Sequence, residues 1–151
     1  MCIRDCSYGP EMRGGTAHCT VIISDDPIGA PLVDRPDVAI VLNGPSLSKY
    51  EPLLLPGGLL ALYCSIVERC SLRRDIDIVK VPANAIAEEM GSSKMMNMAM
   101  LGAVLARRPV LDMANLEQAL IDHLPARKAH LLESNLQVLR RGFDVGDTIP
   151  A

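Results

Sequence analysis

The stretch Val38–Leu42 is the sequence feature that most constrains the fold of this chain. It is a continuous aliphatic run, which is typical of a strand buried on both faces of a parallel sheet. Asn43-Gly44-Pro45 then supplies a turn, and Ser46 or Ser48 can cap a helix that continues to about residue 54. A strand, a turn and a capped helix form one α/β crossover. The sequence therefore predicts an α/β fold.

Similar patterns predict the other elements. Pro56-Gly57-Gly58 is a turn into a strand, and the β-branched residues that end at Ile23 indicate an earlier strand. Lys94–Arg107 is apolar nearly all round, so we expect it to be buried. Gly142 is expected to end the last helix, which leaves residues 144–151 as a loose tail. The predicted strands are Thr16–Ile23, Leu59–Ser65 and Ile76–Val81, and the predicted helices are Ala83–Met90, Lys94–Arg107, Asn115–Leu124 and Ala126–Arg141.

Composition narrows the class of protein. The 151 residues are enough for one domain with a real core, and a net charge of −3 provides no basic field for nucleic acid. No apolar run reaches the roughly eighteen residues of a membrane helix, and the start lacks the layout of a secretory signal. The spacing of the 5 cysteines matches neither CxxC pairs nor a cluster motif, which favours buried reduced thiols in a cytoplasmic protein over metal ligands.

The candidate functional residues lie mainly in the segment 7–26. Gly14 and Gly15 stand just before a predicted strand, where they allow a close backbone approach or a bend. The guanidinium of Arg13 suits a carboxylate or phosphate, although a solvated hairpin entry explains the same residues. Asn97 is an amide in the apolar helix, and we expect it to be buried. It would hold the glycine loop or bond a backbone carbonyl, and both alternatives are open.

The longer string SYGPEMRGGTAHCTVIIS, followed by Asp26-Pro27-Ile28-Gly29, resembles the gamma subunit of the 2-oxoacid:ferredoxin oxidoreductases. Within that family it is most similar to the 2-oxoglutarate type. Further matching strings follow in register, so that the resemblance spans about residues 7 to 143: DVAIVLNGPSLSKYEPLLL at 37–55, PGG at 56–58 and NMAMLGAVL at 97–105.

The resemblance implies a three-layer Rossmann-like fold, like domain III of pyruvate:ferredoxin oxidoreductase. It also implies an oxidoreductase complex that converts a 2-oxo acid to an acyl-CoA and passes electrons to ferredoxin. Thiamine diphosphate, magnesium and iron–sulfur clusters would belong to alpha and beta subunits, with a ferredoxin-like delta subunit as an open addition. This chain would carry no catalytic residue and no metal. Its candidate contacts with the coenzyme A side or with a subunit interface are Tyr8, Arg13, Gly14, Gly15, Thr16 and Asn97.

The chain departs from the family at its start. Residues 1–6 resemble translated adapter sequence, and we expect them to be a non-native leader. The family's first strand–turn–helix unit, with its GxGGQG-type turn, is absent, so we expect an N-terminal truncation that uncovers a sheet edge and makes the isolated chain unstable or sticky. Two alternatives are a free-standing nucleotide-binding or regulatory α/β domain, which should carry such a turn, and a purely structural assembly subunit.

Overall fold

A parallel three-stranded sheet forms the centre of the protein. The structure is a computed structural model, and it describes residues 2–7, 17–29, 33–65, 71, 73–91 and 93–148. Strands β3 (Val38–Val41), β4 (Leu59–Tyr63) and β5 (Asp77–Val81) are parallel, and β4 lies in the middle. The predicted α/β class is confirmed.

Strand β4 connects two hydrophobic cores, one on each face of the sheet. Because successive side chains of a strand point to opposite faces, Leu59, Ala61 and Tyr63 pack into one core. Leu60 and Leu62 pack into the other. No β4 side chain is more than 2% exposed. The aliphatic run that follows Gly58 therefore contributes side chains to both hydrophobic cores.

Helices cover both faces, which gives the three predicted layers. The helices are α1 (Gly44–Tyr50), α2 (Ala83–Glu89), α3 (Met96–Arg107), α4 (Met113–His123) and α5 (Leu132–Thr148). Helix α1 and the short 3-10 helix after it place Leu47 and Leu54 on the Leu60–Leu62 side. The Tyr63 side is covered by α2, α3 and α5, while α4 contacts α5 and buries none of its residues.

The start of α1 differs from the prediction. Asn43 is the N-cap, and its side-chain oxygen accepts a hydrogen bond of 2.8 Å from the backbone N–H of Ser46. Ser46 and Ser48 lie inside the helix, so the expectation that one of them caps it is wrong. Asparagine is as good an N-cap as serine, and the backbone of Asn43 is still extended, as is usual at the N-cap position.

Helices α3 and α5 cross at backbone distance. A Cβ atom on Gly102 would lie 2.0 Å from the carbonyl oxygen of Leu139, and one on Gly142 would lie 2.1 Å from that of Ala99. The prediction that Gly142 ends the last helix is therefore wrong. Gly142 is buried at the crossing, and residues 144–148, predicted as part of a loose tail, belong to α5.

Strand β3 is an edge of the central sheet. Within the described part of the chain it pairs with β4 alone. The expectation that a missing first unit uncovers a sheet edge stays a prediction. Ile40 is 44% exposed and Leu42, just beyond the strand, is 38% exposed. The prediction that this run is buried on both faces is wrong, because none of the described elements covers Ile40 and Leu42.

A hairpin precedes the central sheet. Strands β1 (Cys2–Ser7) and β2 (His18–Ile23) are antiparallel, with Cys2 opposite Ile23 and Ser7 opposite His18. The strand predicted before Ser24 is confirmed. The non-native origin of residues 1–6 stays a prediction, because pairing between strands does not show where a segment comes from.

Candidate functional site

The predicted site residues are divided by the structure. Tyr8, Arg13, Gly14, Gly15 and Thr16 lie outside the described residues, in the segment that joins β1 to β2. Asn97 is the second residue of α3 and is exposed, so the expectation of a buried amide is wrong. The tight contact of α3 with α5 begins at Ala99, which lies two residues after Asn97.

A ring contact joins the start of β2 to the end of α1. His18 is the first residue of β2, and Tyr50 is the last residue of α1. Their ring centroids are 5.7 Å apart, with the planes inclined at 53°. Lys49 Nζ lies 5.0 Å from the centre of the Tyr50 ring, within the range of a cation–π contact. The start of β2 is thus held against the carboxyl end of α1.

Two polar atoms at this contact have no protein partner among the described residues. His18 Nδ1 and Tyr50 Oη are both buried and make no hydrogen bond there. Buried polar atoms are nearly always paired, and an unpaired one costs about 1–3 kcal/mol. We did not single out either residue from the sequence, because nothing in the local pattern of His18 or Tyr50 indicates that the fold brings them together.

The carboxyl ends of the parallel strands are the usual place for a ligand in an open α/β sheet. Here the Asn43 side chain caps α1, which agrees with a turn and cap rather than an anion site. Cys64 directly follows β4 and is exposed, as is Cys19 of β2, so the expectation of buried thiols is wrong for both. In the described ranges no three His, Cys, Asp or Glu side chains come close enough to hold a metal ion.

The amino ends of the strands are held by arginines. Arg73 donates to the carbonyl oxygens of Glu51 at 2.8 Å and Leu54 at 2.9 Å, and it forms a two-bond pair with Asp75. The hydrogen bonds of this pair raise the pKa of Arg73 and lower that of Asp75. Arg73 therefore bonds both the backbone before β4 and the carboxylate before β5.

A second arginine cluster stabilises the same margin. Arg107 Nη2 donates to Asp77 Oδ1 at 3.0 Å, and Arg108 donates to the carbonyl oxygen of Gly57. These bonds tie the carboxyl end of α3 to β5 and to the turn before β4. The arginines of this margin bind the chain's own backbone and carboxylates, which indicates a structural role.

Two relatives align with more than nine tenths of this chain. The chain is 37% identical over 139 residues to the ketoisovalerate oxidoreductase subunit VorA of Methanothermobacter marburgensis, covering 91% of this chain and 29% of VorA. It therefore spans less than a third of that relative. It is 32% identical over 141 residues to the 2-oxoglutarate synthase subunit KorC of Methanocaldococcus jannaschii, covering 92% of this chain and 74% of KorC.

Solved structures share the fold. The gamma subunit of the keto/oxoacid ferredoxin oxidoreductase from Geobacter sulfurreducens matches with a TM-score of 0.79 at 26% identity, over 96% of this chain and 79% of that one. The 2-oxoglutarate:ferredoxin oxidoreductase from Magnetococcus marinus, solved with 2-oxoglutarate, coenzyme A and succinyl-CoA bound, matches with a TM-score of 0.81 at 19% identity. That match covers 99% of this chain and 26% of the other.

The described helices include none that is long and apolar enough to cross a membrane. The sequence model of the family called pyruvate ferredoxin/flavodoxin oxidoreductase matches residues 3–145. With KorC similar over 74% of its own length and the same fold in a gamma subunit, this chain belongs to the pyruvate ferredoxin/flavodoxin oxidoreductase family.

Proposed function

We propose that this chain is the gamma subunit of a 2-oxoacid:ferredoxin oxidoreductase whose substrate is 2-oxoglutarate. The reaction consumes 2-oxoglutarate, coenzyme A and two oxidised ferredoxins, and it yields succinyl-CoA, carbon dioxide, a proton and two reduced ferredoxins. The observation that carries the proposal is the family match over residues 3–145, together with the similarity to KorC along most of its length.

The proposal assigns the reaction chemistry to partner subunits. Thiamine diphosphate with its magnesium ion and the iron–sulfur clusters would be bound by alpha and beta subunits, and the ferredoxin-like delta subunit remains an open addition. The described residues of this chain hold structural arginines and three buried polar atoms without a partner, and we assign this chain no catalytic residue. Its role would be to pack on the catalytic core in the cytoplasm and to complete the coenzyme A side.

The segment between β1 and β2 is the proposed contact for coenzyme A or for the subunit interface. It contains Tyr8, Arg13, Gly14, Gly15 and Thr16, and we retain Asn97 as a more distant candidate. Two observations support a role for this segment. The strand that follows it begins at His18, which contacts Tyr50, and the oxidoreductase from Magnetococcus marinus with the same fold was solved with coenzyme A bound.

Substitution of Arg13 tests this contact in the assembled complex. Loss of a charge-assisted hydrogen bond costs about 1.5–3 kcal/mol, so Arg13→Ala should weaken the apparent affinity for coenzyme A by about tenfold or more. Arg127→Ala, a change at an exposed arginine before α5, is the control and should have no effect. If Arg13→Ala instead abolishes assembly, the purely structural alternative is favoured.

A second substrate class has its own support. The 37% identity to VorA favours a branched-chain 2-oxo acid, because VorA is a ketoisovalerate oxidoreductase subunit. The purified complex should therefore be assayed for ferredoxin reduction with 2-oxoglutarate and with ketoisovalerate. A higher kcat/KM for 2-oxoglutarate supports the main proposal, and the reverse order assigns the complex to the branched-chain class.

Partner identity tests the proposal as a whole. The tagged chain, expressed at native level in its own organism, should co-purify with subunits that contain thiamine diphosphate and iron–sulfur clusters. A monomer without such subunits would contradict the proposal. If that monomer binds coenzyme A or a nucleotide tightly, the free-standing regulatory domain becomes the better interpretation.

A further inference from the structure

Two of the 5 cysteines lie directly opposite each other in the β1–β2 hairpin. The register of the antiparallel strands pairs Cys6 of β1 with Cys19 of β2. Residues that oppose each other in such a pair belong to the same face of the sheet. On β2 this is the face that exposes Cys19, Val21 and Ile23. The register therefore places Cys6 and Cys19 side by side on that face, whatever the origin of residues 1–6.

The spacing of such a pair suits a disulfide. The Cα atoms of directly opposed residues in an antiparallel ladder are about 4.5 or 5.5 Å apart, depending on whether the two residues exchange hydrogen bonds. A disulfide usually joins Cα atoms that are about 4.4 to 6.8 Å apart, so both kinds of pair fall within its range. Diagonal neighbours, with Cα atoms about 7 to 8 Å apart, lie beyond it.

Two other cysteines with described positions are poorly placed to compete. Cys2 lies four residues before Cys6 on β1 and is opposite Ile23. Four residues of a strand span about 13 Å, which is too far for a bond between Cys2 and Cys19. Cys64 follows β4, a strand of the other sheet. Among the residues with described positions, the register therefore selects Cys6 as the partner of Cys19.

We propose that Cys6 and Cys19 form a modification site, at which a low-molecular-weight disulfide such as oxidised glutathione converts them to an intramolecular disulfide. The exposed Cys19, as the thiolate, attacks one sulfur of oxidised glutathione, forms a mixed disulfide and releases one glutathione thiolate. The Cys6 thiolate then attacks the Cys19 sulfur and releases the second glutathione. In total the two cysteines lose two protons and two electrons, and oxidised glutathione takes up both to become two molecules of reduced glutathione.

The disulfide would close the base of the segment that joins the strands, because β1 ends at Ser7 and β2 begins at His18. A two-stranded hairpin is marginally stable in water, and a covalent bond between its strands limits the freedom of the opened state. The closed segment contains Arg13, so oxidation would also restrain the proposed coenzyme A contact. The modification site itself does not rest on the proposed function, since it needs only the register of this chain.

Peptide mapping of the full chain tests the pairing. The reduced chain is treated with oxidised glutathione, its remaining thiols are blocked with iodoacetamide, and it is digested with trypsin without reduction. We expect the peptide of Cys6 linked to that of Cys19 to exceed every other linked pair by about tenfold or more. Each cysteine falls in its own tryptic peptide, so all pairings are distinguished: 1–4, 5–13, 14–49, 50–69 and 70–73.

A thiol moved to a diagonal position is the matched control. Cys19→Ser combined with Val21→Cys keeps an exposed thiol on the same face of β2, because Val21 is 54% exposed. The moved thiol is diagonal to Cys6, so its intramolecular disulfide should form at least about tenfold more slowly. Cys64→Ser should leave the rate for Cys6 and Cys19 unchanged, and circular dichroism shows whether each variant is folded.

Hydrogen exchange measures the effect of the bond on the hairpin. The backbone amides of β1 and β2 should exchange about tenfold or more slowly in the disulfide form than in the reduced form. The amides of β4 are the internal control, because β4 belongs to the other sheet, and their exchange should not change.

The results decide the inference without any partner subunit, so failure of the proposed function leaves it intact. A linked pair of peptides 5–13 and 14–49 whose yield is independent of chain concentration supports it. The inference is overturned if this pair does not form, or if the diagonal control forms its disulfide equally fast. Cross-linked dimers in place of the intramolecular bond also overturn it, and unchanged exchange in β1 and β2 overturns the closing of the hairpin.

Discussion

The central sheet and the β1–β2 hairpin use the same kinds of aliphatic residue but bury them to very different degrees. Every side chain of β4 is at most 2% exposed, whereas Val21 and Ile23 of β2 are about half exposed. Strand β4 has a strand on each side and helices on both faces. The difference teaches that hydrophobic sequence alone does not define a core, because the number of covering elements decides what is buried.

The largest expected effect on stability is at the crossing of α3 and α5, where the two helices approach at backbone distance. Gly142→Ala would place a methyl group 2.1 Å from the carbonyl oxygen of Ala99, so the helices must separate. We expect the free energy of unfolding to fall by at least about 3 kcal/mol.

Urea denaturation measures this change. Gly44→Ala in α1 is the control, because a Cβ there meets no atom within 4 Å, and it should be nearly neutral. A loss below about 1 kcal/mol for Gly142→Ala would show that the helices do not meet at backbone distance.

Matched truncations compare the two regions directly. Leu60→Ala, at a fully buried position of β4, should lower the free energy of unfolding by about 2–5 kcal/mol. Ile23→Ala on the hairpin should change it by no more than about 0.5 kcal/mol, since its side chain is already half in water. Both are measured by denaturation of the chain without partners, and equal losses would break the comparison.

Removal of the Tyr50 hydroxyl tests the contact between the hairpin and α1, where His18 meets Tyr50. Because Tyr50 Oη is buried without a partner among the described residues, Tyr50→Phe should be neutral or stabilising by up to about 1 kcal/mol. Thermal unfolding of the chain alone is the measurement. A clear destabilisation would mean that the hydroxyl has a partner within the chain.

The smallest expected effect concerns α4, which is exposed like the hairpin but is tied to α5 by an ion pair. Arg140 donates two hydrogen bonds to Glu117, and these bonds lower the pKa of Glu117 below its ordinary value. The stabilisation is therefore present above about pH 4.3, the pKa of an unperturbed glutamate, and is lost as the pH falls through the lower folded value.

Glu117→Gln removes this ion pair. At pH 7 it should lower Tm by no more than about 2 °C, and the difference from the wild type should shrink as the pH falls below about 4.3. Glu88→Gln, an exposed change on α2, is the matched control. A constant difference at all pH values would exclude the ion pair as the cause.

Much of the central sheet and of the helices that cover it could be predicted from the sequence, because each of their residue patterns is typical of one kind of element. The aliphatic run that ends at Tyr63 could only be a buried strand or a short buried helix, and its flanking turn favoured the strand. The apolar helix α3 was predicted to be buried, and Ala99, Met100, Ala103, Val104 and Leu105 are.

The errors arose where one residue type has two uses. Gly142 was taken for a helix end, but glycine also allows helices to touch, and only the position of Ala99 in space distinguishes these uses. Asn97 was expected to share the burial of its apolar neighbours, although it lies before the crossing begins. The Ile40 side of β3 could not be judged, because burial depends on elements distant in sequence.

The candidate site was predicted less completely than the fold. The string around Arg13 indicated the family, and the comparisons bear this out. The contact of His18 with Tyr50 was not predicted, because it joins two elements whose separation the local pattern does not encode. The roles of Arg13, its neighbours and Asn97 stay predictions.

The glycine crossing also has a mechanical consequence. At Gly102, Gly142 and Gly146 the backbones of α3 and α5 lie in direct contact, and α3 in turn packs on the central sheet. A force or a label attached near Thr148 is therefore coupled almost directly to the middle of the molecule. A fluorophore placed there would report unfolding of the central sheet and its helices, while one placed beside Ile23 would report changes at the hairpin.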